Sequence, residues 1–126
     1  MKPLKKIMYV EDEADIRQIA QLALEAIGGF EVLLCESGQQ ALEQAVAFEP
    51  DMILLDVMMP GMDGPTTLAK LRELPQISQV PVAFMTAKVQ PDEVKQLLSL
   101  RVLDVIAKPF DPMQLSTLIE KIWNQQ

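Results

Sequence analysis

The chain has 126 residues, of which 49% are hydrophobic and 23% charged, with a net charge of −7 at pH 7. That length suits a single domain, residues 1–126, able to bury a core without disulfides or a structural metal, and the composition excludes disordered and fibrous classes. The negative charge argues against direct contact with nucleic acid or an anionic membrane, and the absence of histidine removes His-based catalysis and most zinc sites.

The amino terminus carries Lys2, Lys5 and Lys6, followed by the apolar run Ile7-Met8-Tyr9-Val10 that Glu11 and Asp12 interrupt. This is too short for a signal-peptide core or a membrane span, so the expected location is cytoplasmic. The run predicts a first strand near residues 5–10. A helix follows over residues 14–27, with Ile16, Ile19, Ala20, Ala23 and Ile27 at helical spacing, and Gly28-Gly29 ends it. The second strand lies near residues 31–35 and includes Cys35, the single cysteine, read as a small buried hydrophobe. Ser37 with Gln40 three residues on is a capping-box signature for a second helix whose inner face is Ala41, Leu42, Ala45 and Val46.

The third strand, near residues 51–55, gives way at Asp56 to the loop Val57-Met58-Met59-Pro60-Gly61. Gly64-Pro65 opens a third helix with Leu68 and Leu71 inward. A fourth strand near residues 80–85 ends at Thr86, and Pro91 suits the first turn of a fourth helix carrying Val94, Leu97 and Leu98. The fifth strand, near residues 103–106, leads to Lys108, and Asp111-Pro112 opens a last helix with Leu115, Leu118, Ile119 and Ile122 as its buried stripe. That helix runs into Trp123-Asn124-Gln125-Gln126 with no linker, which reads as a natural terminus.

Alternating strands and helices predict an α/β fold, a doubly wound five-stranded parallel sheet in the flavodoxin-like order 2-1-3-4-5 with five helices. Ligands of such sheets bind beyond the carboxyl ends of the strands, where the order reverses. Glu11, Asp12 and Asp56 are expected to converge there, between the first and third strands. Three carboxylates at one place either share protons or hold a cation. An all-oxygen, wet site suits Mg²⁺, or Mn²⁺, bound by Asp12, Asp56, a backbone carbonyl and waters. Lys108 adds a point charge and Thr86 a hydroxyl donor. Together these are the groups that hold a phosphoryl moiety in transfer, with Asp56 as the nucleophile that accepts it.

The pairs Glu11-Asp12 and Lys108-Pro109, the segment LLDVMMPGMDG around Asp56, and Met85-Thr86-Ala87 resemble the receiver domains of two-component response regulators, in order and spacing along nearly the whole chain. The resemblance implies a CheY-like fold and a histidine kinase or histidine phosphotransfer protein as phosphoryl donor. It implies metal binding by Asp12, Asp56 and the main-chain carbonyl of Met58, with Glu11 acting through a metal-bound water. Thr86 and Lys108 would bind phosphoryl oxygens, and the Lys108–Pro109 bond is expected cis.

Two positions depart from the family pattern. Many receivers carry Tyr or Phe where this chain has Val105, so an aromatic rotamer switch has no ring to use. Arg101 stands where Gly is expected to end the fourth helix in a left-handed conformation; Arg either adopts it at a cost of about 1 kcal/mol or the helix ends irregularly. Met58 and Lys88 neighbour the site and are read as tuning water access to the acyl phosphate. Each residue also has an ordinary reading: Asp56 as a turn-former, Glu13 as a solvated first-turn acid, Thr86 as a cap, Lys108 as a surface lysine, and Met58, Met59 and Met62 as gap-fillers.

Against a single-domain receiver signalling by protein contact stand four alternatives. An aspartyl-phosphate phosphatase would place a second acid two residues after the nucleophile, where this chain has Met58. A flavodoxin-type module would carry a Ser/Thr-rich phosphate loop after the first strand, where this chain has acids. The others are a degenerate receiver that only binds partners and a receiver cut from a larger regulator. The expected kinase contact lies beside Ile16 and Ile19, and the expected output surface is the fourth and fifth helices with the strand between them.

Overall fold

The computed structural model describes residues 2–126. Five parallel strands, β1 (Lys6–Val10), β2 (Glu31–Cys35), β3 (Met52–Asp56), β4 (Val82–Thr86) and β5 (Val105–Ala107), form one sheet in the order β2-β1-β3-β4-β5. Helices α1 (Ala14–Gln21), α2 (Gly38–Phe48), α3 (Gly64–Leu71), α4 (Pro91–Leu98) and α5 (Leu115–Asn124) make the crossovers and close the chain. β3 and β4 are buried along their whole length, as parallel strands covered on both faces must be.

Strand alternation divides the core in two. Ile7, Tyr9, Met52, Leu54, Ala83, Met85 and Ile106 pack with α1 and α5. Met8, Val10, Ile53, Leu55, Val82 and Phe84 pack with α2 and α3 on the other face. Cys35 belongs to this second cluster and is fully buried, which pushes its thiol up to about 11.

The helix ends show how local chemistry sets the frame. Ser37 caps α2 by accepting from the Gln40 N–H at 3.0 Å. The reciprocal arm differs from the expected box: Gln40 Oε1 accepts from the N–H of Glu36, one residue upstream. Asp63 caps α3 through the Thr66 N–H at 2.8 Å. Glu49 ends α2 at φ 55°, a left-handed cap without glycine.

α1 does not continue as a regular helix to residue 27. From Leu22 to Ile27 the backbone takes the wider π form, in which Gly28 N–H donates to Ala23 O. Ser116 of α5 donates to the same carbonyl at 2.8 Å, and a side chain on Gly28 would collide with the Ser116 hydroxyl. A π turn takes in an extra residue and rotates the residues after it out of the 3.6-residue phase, so Ile27 is exposed while Ala20, Ala23 and Leu24 are buried.

Three other apolar residues expected in buried stripes face solvent instead. Ile19 is exposed beside Ile16, Leu98 is exposed on α4, which has no buried residue, and Leu118 gives its place on α5 to Trp123. Leu42 and Val46 on α2 are half-buried rather than core. α5 begins at Leu115; Asp111-Pro112 forms a preceding turn in which the Asp111 carboxylate accepts from Met113 N–H at 2.9 Å. Trp123 anchors the helix end by donating to Lys2 O at 3.0 Å. Of the two alternatives at Arg101 the structure has the left-handed one, at φ 62°, and Arg72, just past the end of α3, donates to the carbonyls of Leu100 and Arg101.

Candidate functional site

The parallel register brings the carboxyl ends of four strands level. Val10 pairs with Leu55, Asp56 with Met85, and Thr86 with Ala107, so the residues that follow or complete these pairs share one edge of the sheet. Backbone bonds fix the exits: Glu11 N–H to Cys35 O, Val57 N–H to Met85 O and Lys108 N–H to Thr86 O, all at 2.9 to 3.0 Å. Gly64 lets α3 start against the back of Asp56, since a Cβ there would lie 2.5 Å from the Asp56 carbonyl.

Carboxylate oxygens of Glu11, Asp12 and Asp56 lie within 4.8 Å of one another. Glu11 is fully buried, Asp56 is 2% exposed, and Asp12 is half-open to solvent. Lys108 reaches across from the end of β5 and donates to Glu11 Oε1 at 2.7 Å and to Asp56 Oδ1 at 3.1 Å. Its side chain is 13% exposed, so these pairs are shielded from water. Burial pulls its pKa down, but hydrogen bonds to Glu11 and Asp56 outweigh that, and the ammonium is held above its ordinary value.

One ammonium does not balance three acids. Burial raises the Asp56 pKa, the Lys108 bond opposes it, the Glu11 charge adds to it, and the result is about 6. Arg17 of α1 serves the loop rather than the cluster, donating to Glu11 O at 2.7 Å, with Glu36 at 3.9 Å on its other side. Nothing in the sequence spacing singles Arg17 out, because its partner is a backbone carbonyl.

Thr86 is buried at the end of β4, and its hydroxyl oxygen accepts from the Lys88 N–H at 3.0 Å. That bond uses a lone pair and leaves the O–H proton free. Met58 carries a side chain 59% exposed on the loop after β3, and Lys88 is exposed after β4. Val105 is half-buried at the start of β5 against the α2–α3 side of the core. The Lys108–Pro109 bond is cis.

Known proteins resemble this chain in sequence and in fold. The sequence matches the response regulator receiver domain over residues 7–120. It is 37% identical over 118 residues to the phosphate regulon transcriptional regulatory protein PhoB of Pseudomonas aeruginosa, covering 94% of this chain and 51% of that protein. It is 35% identical over 118 residues to the alkaline phosphatase synthesis transcriptional regulatory protein PhoP of Bacillus subtilis, covering 94% and 48%. The chain thus spans about half the length of these curated relatives. Among solved structures, the chemotaxis protein CheY4 of Vibrio cholerae superposes with a TM-score of 0.86 at 27% identity, covering 95% of this chain and 99% of that one. The chain belongs to the response regulator receiver domain family.

Proposed function

We propose that this receiver accepts a phosphoryl group on Asp56 in a Mg²⁺-assisted reaction and passes the modified state on by protein contact. The observation that carries this reading is the cluster itself, buried at Glu11 and Asp56 and half-open at Asp12: three carboxylates with oxygens within 4.8 Å and a single lysine bridging two of them. Asp12, Asp56 and the carbonyl of Met58 would hold the ion, with Glu11 reaching it through water. The fit is chemical: every donor is a hard oxygen, and the acids outnumber the one cation beside them. When bound, Mg²⁺ neutralises charge on the transferring oxygens.

In the transfer, an Asp56 carboxylate oxygen attacks phosphorus, an acyl phosphate forms, and the bond from phosphorus to the donor's leaving group breaks. Lys108 exchanges its bonds to Glu11 Oε1 and Asp56 Oδ1 for bonds to a phosphoryl oxygen. Thr86, whose O–H proton is uncommitted, donates to another. The donor is a histidine kinase or a histidine phosphotransfer protein. It would dock at the apolar groove of about 120 Å³ lined by Ile16, Ile19, Pro109, Phe110 and Pro112, which opens directly beside Lys108.

The output face is α4, β5 and α5. α4 buries no residue fully, Leu97 packing only partly against the core, and exposed Leu98 and Leu118 give the face apolar contacts for an unidentified target protein or for a further domain. No described helix is long and apolar enough to cross a membrane, and a cytoplasmic setting fits a phosphoryl relay.

Incubation with Mg²⁺ and acetyl phosphate, followed by intact mass, tests the proposal. The expected product is one phosphoryl group per chain, lost in Asp56→Asn and in the presence of a chelator. An unmodified wild-type chain, or repeated turnover of many phosphoesters, would refute it.

A further inference from the structure

Tyr9 is the single tyrosine of the chain, in the middle of β1 and wholly buried. Strand alternation puts it on the same face as Glu11, two residues on, and register sets it beside Leu54, two residues before Asp56. The phenol therefore lies one layer beneath the carboxylates. Its hydroxyl is the one buried side-chain polar atom without a hydrogen-bond partner among the described residues. It lies close enough to Glu11 to interact, yet short of hydrogen-bond geometry. Burial, then the charges of Glu11 and Asp56, push its pKa far above the phenol range, so it is a donor and never an acceptor anion.

A buried donor without an acceptor is costly, and such exceptions in native structures call for an explanation. The resting state supplies one. Both oxygens of Glu11 are already engaged, Oε1 by Lys108 at 2.7 Å and Oε2 by the Glu13 N–H at 3.2 Å. If Lys108 turns to a phosphoryl group, Glu11 keeps its burial and loses its cation. A buried carboxylate stripped of its partner is strongly disfavoured unless another donor replaces it. Tyr9 is the uncommitted donor beneath it.

We propose that Tyr9 is a positioning residue whose hydroxyl takes over Glu11 when Lys108 is drawn to an incoming phosphoryl group. The donor orphaned at rest is satisfied in the modified state, and Glu11 stays aligned toward the metal-bound water. The hydroxyl thus biases the equilibrium toward the phosphorylated form by being unpaired only in the other one. This inference rests on the receiver reading of Asp56 and Lys108.

The test uses Tyr9→Phe, which keeps the ring and removes only the hydroxyl, with Mg²⁺ and beryllofluoride as a non-transferable phosphoryl mimic. Without ligands the variant should melt at or above the wild-type temperature, because an unpaired group is lost. With the mimic, its affinity should fall roughly tenfold, the equivalent of one hydrogen bond to a charged group, and its melting temperature should rise less than that of wild type. In wild type labelled at the tyrosine ¹³Cζ, the single resonance should shift to the hydrogen-bonded position when Mg²⁺ and beryllofluoride are added. Equal affinity in the variant, a lower ligand-free melting temperature, or an unmoved ¹³Cζ resonance in mimic-bound wild type would each overturn the role of Tyr9 alone. Failure of wild type to respond to the mimic at all would instead remove the receiver reading beneath it.

Discussion

β3 is bracketed by two buried aspartates with opposite electrostatic environments. Asp51 precedes the strand and accepts from the N–H groups of Lys5 and Lys6 at 3.0 and 2.9 Å and from the Lys2 ammonium at 2.7 Å. Burial pushes its pKa up, the bonds from Lys2, Lys6 and Lys5 outweigh that, and the carboxyl ends below its ordinary value. Asp56, five residues later in the sequence, is similarly buried but shares its lysine with Glu11 and is pushed up to about 6. One end of the strand has more donors than its charge needs, and the other has fewer. The first arrangement ties strands together; the second leaves a demand for positive charge that a divalent cation and a phosphoryl group can meet.

Removing the shared cation should produce the largest effect. Lys108→Ala leaves Glu11 and Asp56 buried without a counter-charge, which should destabilise the ligand-free domain by about 3 to 4 kcal/mol in urea unfolding. Mg²⁺ should still bind this variant and restore part of the loss. Loss of Mg²⁺ affinity would show that Lys108 builds the metal site rather than balancing it. At the other end, Asp51→Ala strands two backbone donors and should cost about 2 to 3 kcal/mol, with Mg²⁺ affinity unchanged. A change in Mg²⁺ affinity there would break the separation of the two ends.

The pH dependence should have opposite signs at the two ends. Between about 4 and 6 the folded Asp56 binds more protons than the unfolded one, so its contribution falls as pH rises through that window. A shift of this size amounts to about 3 kcal/mol. Asp51, with its pKa lowered, contributes stability above the unfolded value and loses it as pH falls through the folded one. In chelator, Asp56→Asn should therefore come close to wild type near pH 4 and exceed it by about 3 kcal/mol near pH 7. A difference independent of pH would mean that Asp56 is not the group under strain.

Much of the frame was legible because strand ends are announced by a change of residue type. Apolar runs stop at Glu11, Asp56, Thr86 and Lys108, and parallel pairing brings those stops to one edge. Arg101 was legible for a related reason, since a helix that ends without glycine must still turn. What escaped depends on partners far apart in the chain. The Lys108 bond to Glu11 spans 97 residues, and Arg17 grips a carbonyl that any residue could supply. The π turn after Gln21 needs Ser116, 93 residues from Ala23, to hold it. Ile19, Leu98 and Leu118 fit helical stripes and are nonetheless outside, because apolar spacing says that a face exists without saying what covers it.

The smallest effect should come from a pair whose distance gives no hint of it. Lys2 approaches Asp51 at 2.7 Å, the same separation as Lys108 and Glu11. Yet the Lys2 side chain is 68% exposed and that of Lys108 13%. Water screens the first pair, and its lysine loses rotamer freedom to make it, so Lys2→Ala should cost about 0.5 kcal/mol, and less in high salt. The two backbone donors, Lys5 and Lys6 N–H, continue to hold Asp51. A loss above about 1.5 kcal/mol would mean that the Asp51 end also depends on its lysine, and that a surplus of donors is not the property separating the two ends of β3.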